Sequence, residues 1–215
     1  MIEAIIFDMD GTLVDTEPFN TEIERRLFKL NNLEISEDEH QKYLGVASDA
    51  MWNEIAGRYQ LQVSVSELIA QSHSESLRYL SEVERIPIMH GVVELLEKLQ
   101  KKNYPMAVAS SSTPEVIDLV LTRTNLKKYF RVIVSAQEAG KSKPAPDVFL
   151  LTAQKLGIMP EKCLVVEDSP NGIKAARAAG MICVAYQGPG SNPQKLKEAN
   201  AIVQSYPQLG IMLLR

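Results

Sequence analysis

Apolar residues in this chain follow two patterns that alternate along most of its length: short unbroken runs, and longer stretches with apolar positions three and four apart. Ala4–Asp8 (AIIFD) is an unbroken run closed by a carboxylate, which predicts a buried strand. From Pro105 onward the alternation is regular. Strands are predicted at Met106–Ser110, Val132–Val134, Leu164–Glu167, Ile182–Tyr186 and Ala201–Val203, separated by helices from Pro114, from about Asp147 to Leu156 and from Asn171 to Ala179. Strands that are apolar throughout belong in a parallel sheet covered on both faces. The expected fold is therefore α/β, with a doubly wound, Rossmann-like core.

The stretch from Glu17 to Glu84 breaks this rhythm, because it contains no convincing strand. Phe19, Ile23, Leu27 and Leu30 form one helical stripe, Trp52, Ile55 and Tyr59 a second, and Leu68, Ile69, Leu77 and Leu80 a third. Pro87 and Gly91 punctuate the return, and Val92, Leu95, Leu96 and Leu99 form a helix leading back into the sheet. We expect an α-helical domain, residues 16–84, inserted after the first strand of a core built from 1–15 and 85–215. An insert that leaves and re-enters beside one strand end is placed to act as a lid over chemistry there.

Composition narrows the functional classes. With 45% hydrophobic and 23% charged residues the chain is an ordinary globular one, and a net charge of −4 without a Lys/Arg run gives no footprint for nucleic acid or an anionic membrane. No apolar run approaches the roughly 20 residues of a membrane helix, and Glu3 and Asp8 interrupt the N-terminal segment, so a cytoplasmic location is expected. Cys163 and Cys183 each sit in an apolar run and read as buried thiols, and the three histidines stand singly. A monomer is expected.

Open parallel sheets bind ligands beyond the carboxyl ends of their strands, and those positions are polar here. Asp8, Asp10, Gly11 and Thr12 follow the first strand. Ser110, Ser111, Ser112 and Thr113 follow the second, Lys141 and Lys143 the third, and Glu167, Asp168 and Ser169 the fourth. Close carboxylates repel, and a hard oxygen-loving cation such as Mg²⁺ holds them together. Acids, a lysine and hydroxyls at one sheet edge suit phosphoryl transfer. Each acid taken alone could instead cap the helix after its strand, but that must then be invoked at several strand ends. Gly140-Lys141-Ser142 matches the end of a nucleotide-binding loop, yet Ser135 stands where its first glycine belongs, and Pro144 and Pro146 interrupt the helix it requires.

Asp8-Met9-Asp10-Gly11-Thr12 resembles the DxDGT signature of the haloacid dehalogenase superfamily, a match expected by chance on the order of once in 10³ chains of this length. Ser110, Lys143 in KSKPAPD and the pair Glu167-Asp168 are similar to the remaining motifs of that family, in order. DGTLVDTE, GKSKPAPD and VEDSPNGIKAA resemble the β-phosphoglucomutase-like subgroup with its small helical cap. The resemblance implies that Asp8 attacks phosphorus to form an aspartyl-phosphate and that Asp10 is the acid-base. It further implies that Ser110 and Lys143 hold the phosphoryl oxygens. The implied metal residues are Asp8, Asp10 through its backbone carbonyl, Glu167 beside the metal or behind it, and Asp168. The implied cofactor is Mg²⁺, with Mn²⁺ or Co²⁺ able to substitute.

Mutases of this subgroup carry a cap histidine and basic residues around a Gly-Val loop for a second phosphate. Here Asn20 stands where the histidine would be, and Leu44-Gly45-Val46-Ala47-Ser48-Asp49 has no flanking positive charge, leaving Lys42 or Arg58 as the nearest candidates. A phosphatase acting on phosphorylated carbohydrates is therefore expected, with β-phosphoglucomutase as the alternative. Thr16, Asn20, Gly45, Ser48 and Ser111 are the expected substrate contacts. A phospho-acceptor receiver domain is a remoter alternative, since it needs no helical insert and Asp10 would shorten the life of its phosphoaspartate.

Overall fold

The computed structural model describes residues 1–43, 48–188 and 193–213. In chain order the elements are β1 (Ala4–Phe7), α1 (Glu17–Leu30), α2 (Glu37–His40), α3 (Ser48–Arg58), α4 (Val65–Glu82), α5 (Val92–Lys101), β2 (Met106–Ser110), α6 (Pro114–Arg123), β3 (Val132–Ser135), α7 (Ala136–Ala139), α8 (Asp147–Leu156), β4 (Cys163–Glu167), α9 (Pro170–Ala178), β5 (Ile182–Tyr186), α10 (Pro193–Leu196), β6 (Ala201–Val203) and α11 (Tyr206–Leu213). Two compact units emerge, Met1–Thr16 with Arg85–Arg215, and Glu17–Glu84. Thr16, expected in the helical insert, lies in the first unit.

In that first unit six parallel strands run in the order β3-β2-β1-β4-β5-β6. The chain winds outward from β1 to β3, then returns to the other side of β1 with β4, so the switch point lies between β1 and β4. Ile5 pairs with Met106 on one side and Leu164 on the other, which aligns the carboxyl ends of the central strands. Ala4 and Ile6, Ala107 and Ala109, Cys163 and Val165, and Cys183 and Ala185 point to one face and pack with Val148, Phe149 and Ala153 of α8 and Ile173 and Ala176 of α9. The alternate residues Ile5 and Phe7 are also fully buried, as a sheet covered on both faces requires.

Residues beyond β1 fold into a tight turn. The amides of Leu13 and Val14 donate to the Met9 carbonyl, and Gly11 donates to Val14. The Asp15 amide donates to Pro87 and the Met89 amide to Leu13, so the two segments leading to and from the helical unit are bonded to each other.

In the helical unit Ile23, Leu27 and Phe28 of α1, Met51, Trp52 and Ile55 of α3, and Leu68 of α4 form its core. Two expected core positions are corrected. Leu30 is exposed because it is the last residue of α1, and Leu77 is exposed because nine residues from Leu68 is two and a half helical turns, which places it on the opposite face. Glu75, seven residues from Leu68, takes the inward position and bonds Arg26 and Arg78.

Candidate active site

The polar residues that follow the central strands meet at the switch point. Asp8 ends the buried run of β1 and is itself buried. Lys143, from the loop before α8, donates to Asp8 Oδ1 at 2.5 Å, to Glu167 Oε1 at 2.8 Å and to the Ala109 carbonyl at 3.1 Å. Its ammonium also lies 5.0 Å from the centre of the Phe149 ring. Burial disfavours that charge, but Asp8 and Glu167 together outweigh it and hold the lysine pKa above its ordinary value. Lys141 is exposed, as its place in the loop suggests.

Asp8 is pushed up to about 7, chiefly by burial, which Lys143 only partly offsets while Glu167 and Asp10 add repulsion. Asp168 is likewise raised by burial, Glu167 and Asp8. Oxygens of Asp8, Glu167 and Asp168 all lie within 4.8 Å of one another. Three carboxylates thus face one ammonium, a donor set of hard oxygens with excess negative charge, which fits a small divalent cation.

The three acids have different partners. Glu167 Oε2 accepts from the amides of Asp168 and Ser169 at 2.8 and 2.7 Å, and its other oxygen accepts from Lys143. Both oxygens are thus engaged. Gly172 makes this possible, because a Cβ there would lie 1.6 Å from Glu167 Oε1. Ser169 caps α9 by accepting from the Gly172 amide. Asp168 accepts from the Thr12 hydroxyl at 3.1 Å. It also crosses directly over Gly11, whose φ of +74° suits glycine and where a Cβ would lie 2.1 Å from Asp168 Oδ2.

Asp10 stands apart from the lysine. Its Oδ1 accepts from Thr16 at 2.7 Å and its Oδ2 from Ser112 at 2.9 Å. These bonds hold the Asp10 carboxylate on both sides. Thr16, expected as a substrate contact, is buried and donates its hydroxyl to Asp10. Ser110 is buried, with its Oγ accepting from the Ser112 amide, while Ser111 is exposed. Asn20 and Ser48 are exposed residues of the helical unit, and Gly45 lies outside the described residues. Arg58 is paired to Glu39 at 2.6 Å.

Sequence reasoning missed the Ser112–Asp10 bond, since three adjacent serines give no sign of which one turns inward. It also gave no role to Gly172 or to the hydroxyl of Thr12, which it had placed beyond the first strand. For Gly172 a signal exists: a glycine in the first turn of a helix that starts next to a buried acid.

The fold and this arrangement define a doubly wound α/β protein with an acid-and-lysine centre at its switch point. The model for haloacid dehalogenase-like hydrolases matches residues 5–186, and the chain belongs to that family. It is 34% identical over 180 residues to a phosphorylated carbohydrates phosphatase of Thermotoga maritima, covering 84% of this chain and 82% of that one. It is also 34% identical over 187 residues to a fructose-1-phosphate phosphatase of Escherichia coli K12, covering 84% and 94%. Among solved structures it is similar to β-phosphoglucomutase from Clostridium difficile, with a TM-score of 0.81, 28% identity and coverage of 97% and 93%.

Proposed function

We propose that this hydrolase is a phosphatase of phosphorylated carbohydrates that works through an aspartyl-phosphate on Asp8. The observation that carries the reading is the division of labour between two aspartates. Asp8 is bound to Lys143, whereas Asp10 is held by two neutral hydroxyls and is close enough to Asp8 to add to its repulsion. A carboxylate beside an ammonium is suited to attack an anionic phosphate, and a separately held carboxyl is suited to move protons.

Asp8 attacks phosphorus as the bond from phosphorus to the sugar oxygen breaks. Asp10, as general acid, gives a proton to the leaving alkoxide. The resulting Asp10 carboxylate then takes a proton from the water that attacks the aspartyl-phosphate, releasing inorganic phosphate and restoring Asp8. Lys143 offsets charge on the phosphoryl oxygens, and Ser110 offers a hydroxyl to one of them. Asp8, Asp168 and the Asp10 carbonyl would hold Mg²⁺, with Glu167 fixing Lys143 and the start of α9 behind them. The bound cation supplies electrostatic stabilisation of the phosphoryl oxygens. The helical unit, residues 17–84, is the counterpart of the small helical cap of this family. The two phosphatase relatives support hydrolysis.

The test is phosphate release from hexose, pentose, tetrose and hexitol phosphates, with Mg²⁺ and with EDTA, and a coupled assay for glucose 6-phosphate formed from β-glucose 1-phosphate. Metal-dependent release without isomerised product is expected. Conversion of β-glucose 1-phosphate to glucose 6-phosphate, stimulated by a bisphosphate, would make the enzyme a mutase.

A further inference from the structure

The C-terminal helix reaches the acid cluster through one buried phenol. Tyr206 opens α11, is 1% exposed, and its ring lies 4.8 Å from that of Tyr186 at the end of β5. Its seat is tightly built. Gly91, with φ +87°, lies so close that a Cβ would be 3.1 Å from Tyr206 Cβ and 3.2 Å from Pro207 Cδ, and Leu209 is fully buried. A hydroxyl enclosed in this way needs a partner. That partner is the backbone carbonyl of Thr12, 194 residues earlier, to which the Tyr206 hydroxyl donates. The side chain of the same threonine donates to Asp168 Oδ1. Thr12 is therefore held at its carbonyl by Tyr206 and holds Asp168 with its hydroxyl, in a turn already closed by the bonds of Leu13 and Val14 to Met9.

We propose that Tyr206 is a positioning residue for the metal site, clamping the Thr12 carbonyl so that the Thr12 hydroxyl sets the orientation of the Asp168 carboxylate. The proposal rests on the reading of Asp8 and Asp168 as the carboxylates that hold the cation. Tyr206 acts only through Thr12. Partners of this kind behind a metal ligand tune affinity by fixing the ligand before the ion arrives.

The experiment is calorimetric titration of Mg²⁺ into the substrate-free protein, with the melting temperature in EDTA measured alongside. Tyr206→Phe is expected to weaken Mg²⁺ binding about tenfold, the scale for loss of such partners, with little change in kcat at saturating metal. 4-Fluorophenylalanine at position 206, which fills the space without donating, is the second variant and is expected to weaken binding equally. Thr12→Val should bind as weakly as Tyr206→Phe or more so, Thr12→Ser should restore binding, and Tyr206→Phe with Thr12→Val should be no weaker than Thr12→Val alone. Wild-type Mg²⁺ affinity in both position-206 variants would overturn the proposal, as would additive losses in the double variant. Asp168→Asn separates the two levels. If it abolishes Mg²⁺ binding while the position-206 variants bind normally, only the role of Tyr206 falls. If it binds Mg²⁺ normally, the reading of the metal site falls first.

Discussion

Both units of this protein cover acids, and they treat them in opposite ways. In the helical unit Glu75 accepts from Arg78 at 2.6 and 2.9 Å and from Arg26 at 3.3 Å, and these guanidinium partners hold its carboxyl below the ordinary range. In the core unit burial pushes Asp8 up to about 7 and raises Asp168 as well, because one lysine serves three carboxylates. The first arrangement is complete in itself and needs no ligand. The second leaves negative charge that a cation or a reaction must answer, which is how a buried acid that does chemistry differs from one that only joins helices.

The sharpest way to break this comparison is to neutralise one acid from each side of it. Asp8→Asn is expected to lower kcat/KM for a sugar phosphate by about 10⁴-fold or more, as loss of a nucleophile does. Its melting temperature in EDTA near pH 8 is expected to stay at or above that of the parent protein, because an amide avoids the cost of ionising in a buried site. A clear fall in that melting temperature would make Asp8 structural. Asp10→Asn should cost about 10²- to 10⁴-fold on alkyl phosphates and much less on aryl phosphates, whose leaving groups need no proton. Equal losses on both would exclude an acid role for Asp10.

Smaller effects sharpen the contrast. Glu75→Ala is expected to destabilise the protein by about 1–3 kcal/mol, by leaving Arg26 and Arg78 without their shared acceptor, while kcat/KM per folded molecule stays near the parent value. Thermal denaturation and steady-state kinetics on the same preparation check both parts. The pH dependence follows from the raised Asp8 value. Between 3.8 and about 7 the folded state retains a proton that the unfolded state has lost, so this group's contribution to the stability of metal-free protein falls as pH rises through that window. A cation replaces that proton, so the rise in melting temperature on adding Mg²⁺ is expected to be larger near pH 8 than near pH 6, by a few degrees at most. The same rise at both pH values would contradict the uncompensated charge.

Much of this was legible in the chain because buried parallel strands leave a strong signature. The six strands appear as apolar runs, and their register at the sheet centre carries Asp8, Ser110 and Glu167 to one edge. Lys143 was separable from Lys141 by its place in the KSKPAPD motif. What escaped is what depends on which way a side chain turns within a loop. Thr16 reads as a lid residue by position, yet its hydroxyl turns to Asp10, and of three consecutive serines it is Ser112 that completes that carboxylate. The Tyr206–Thr12 bond joins residues from opposite ends of the chain, where no local pattern links them. Leu77 was misread because a count of leucines is not a phase: Glu75 occupies the inward turn instead.

The most direct test of the account is to identify the covalent intermediate. Protein mixed with a sugar phosphate and Mg²⁺, quenched during turnover and reduced with borohydride, should carry homoserine in place of aspartate at position 8, detected by mass spectrometry of the peptide, and should carry none when substrate is omitted. Homoserine at another aspartate, or unmodified Asp8 under conditions where phosphate is being released, would contradict it.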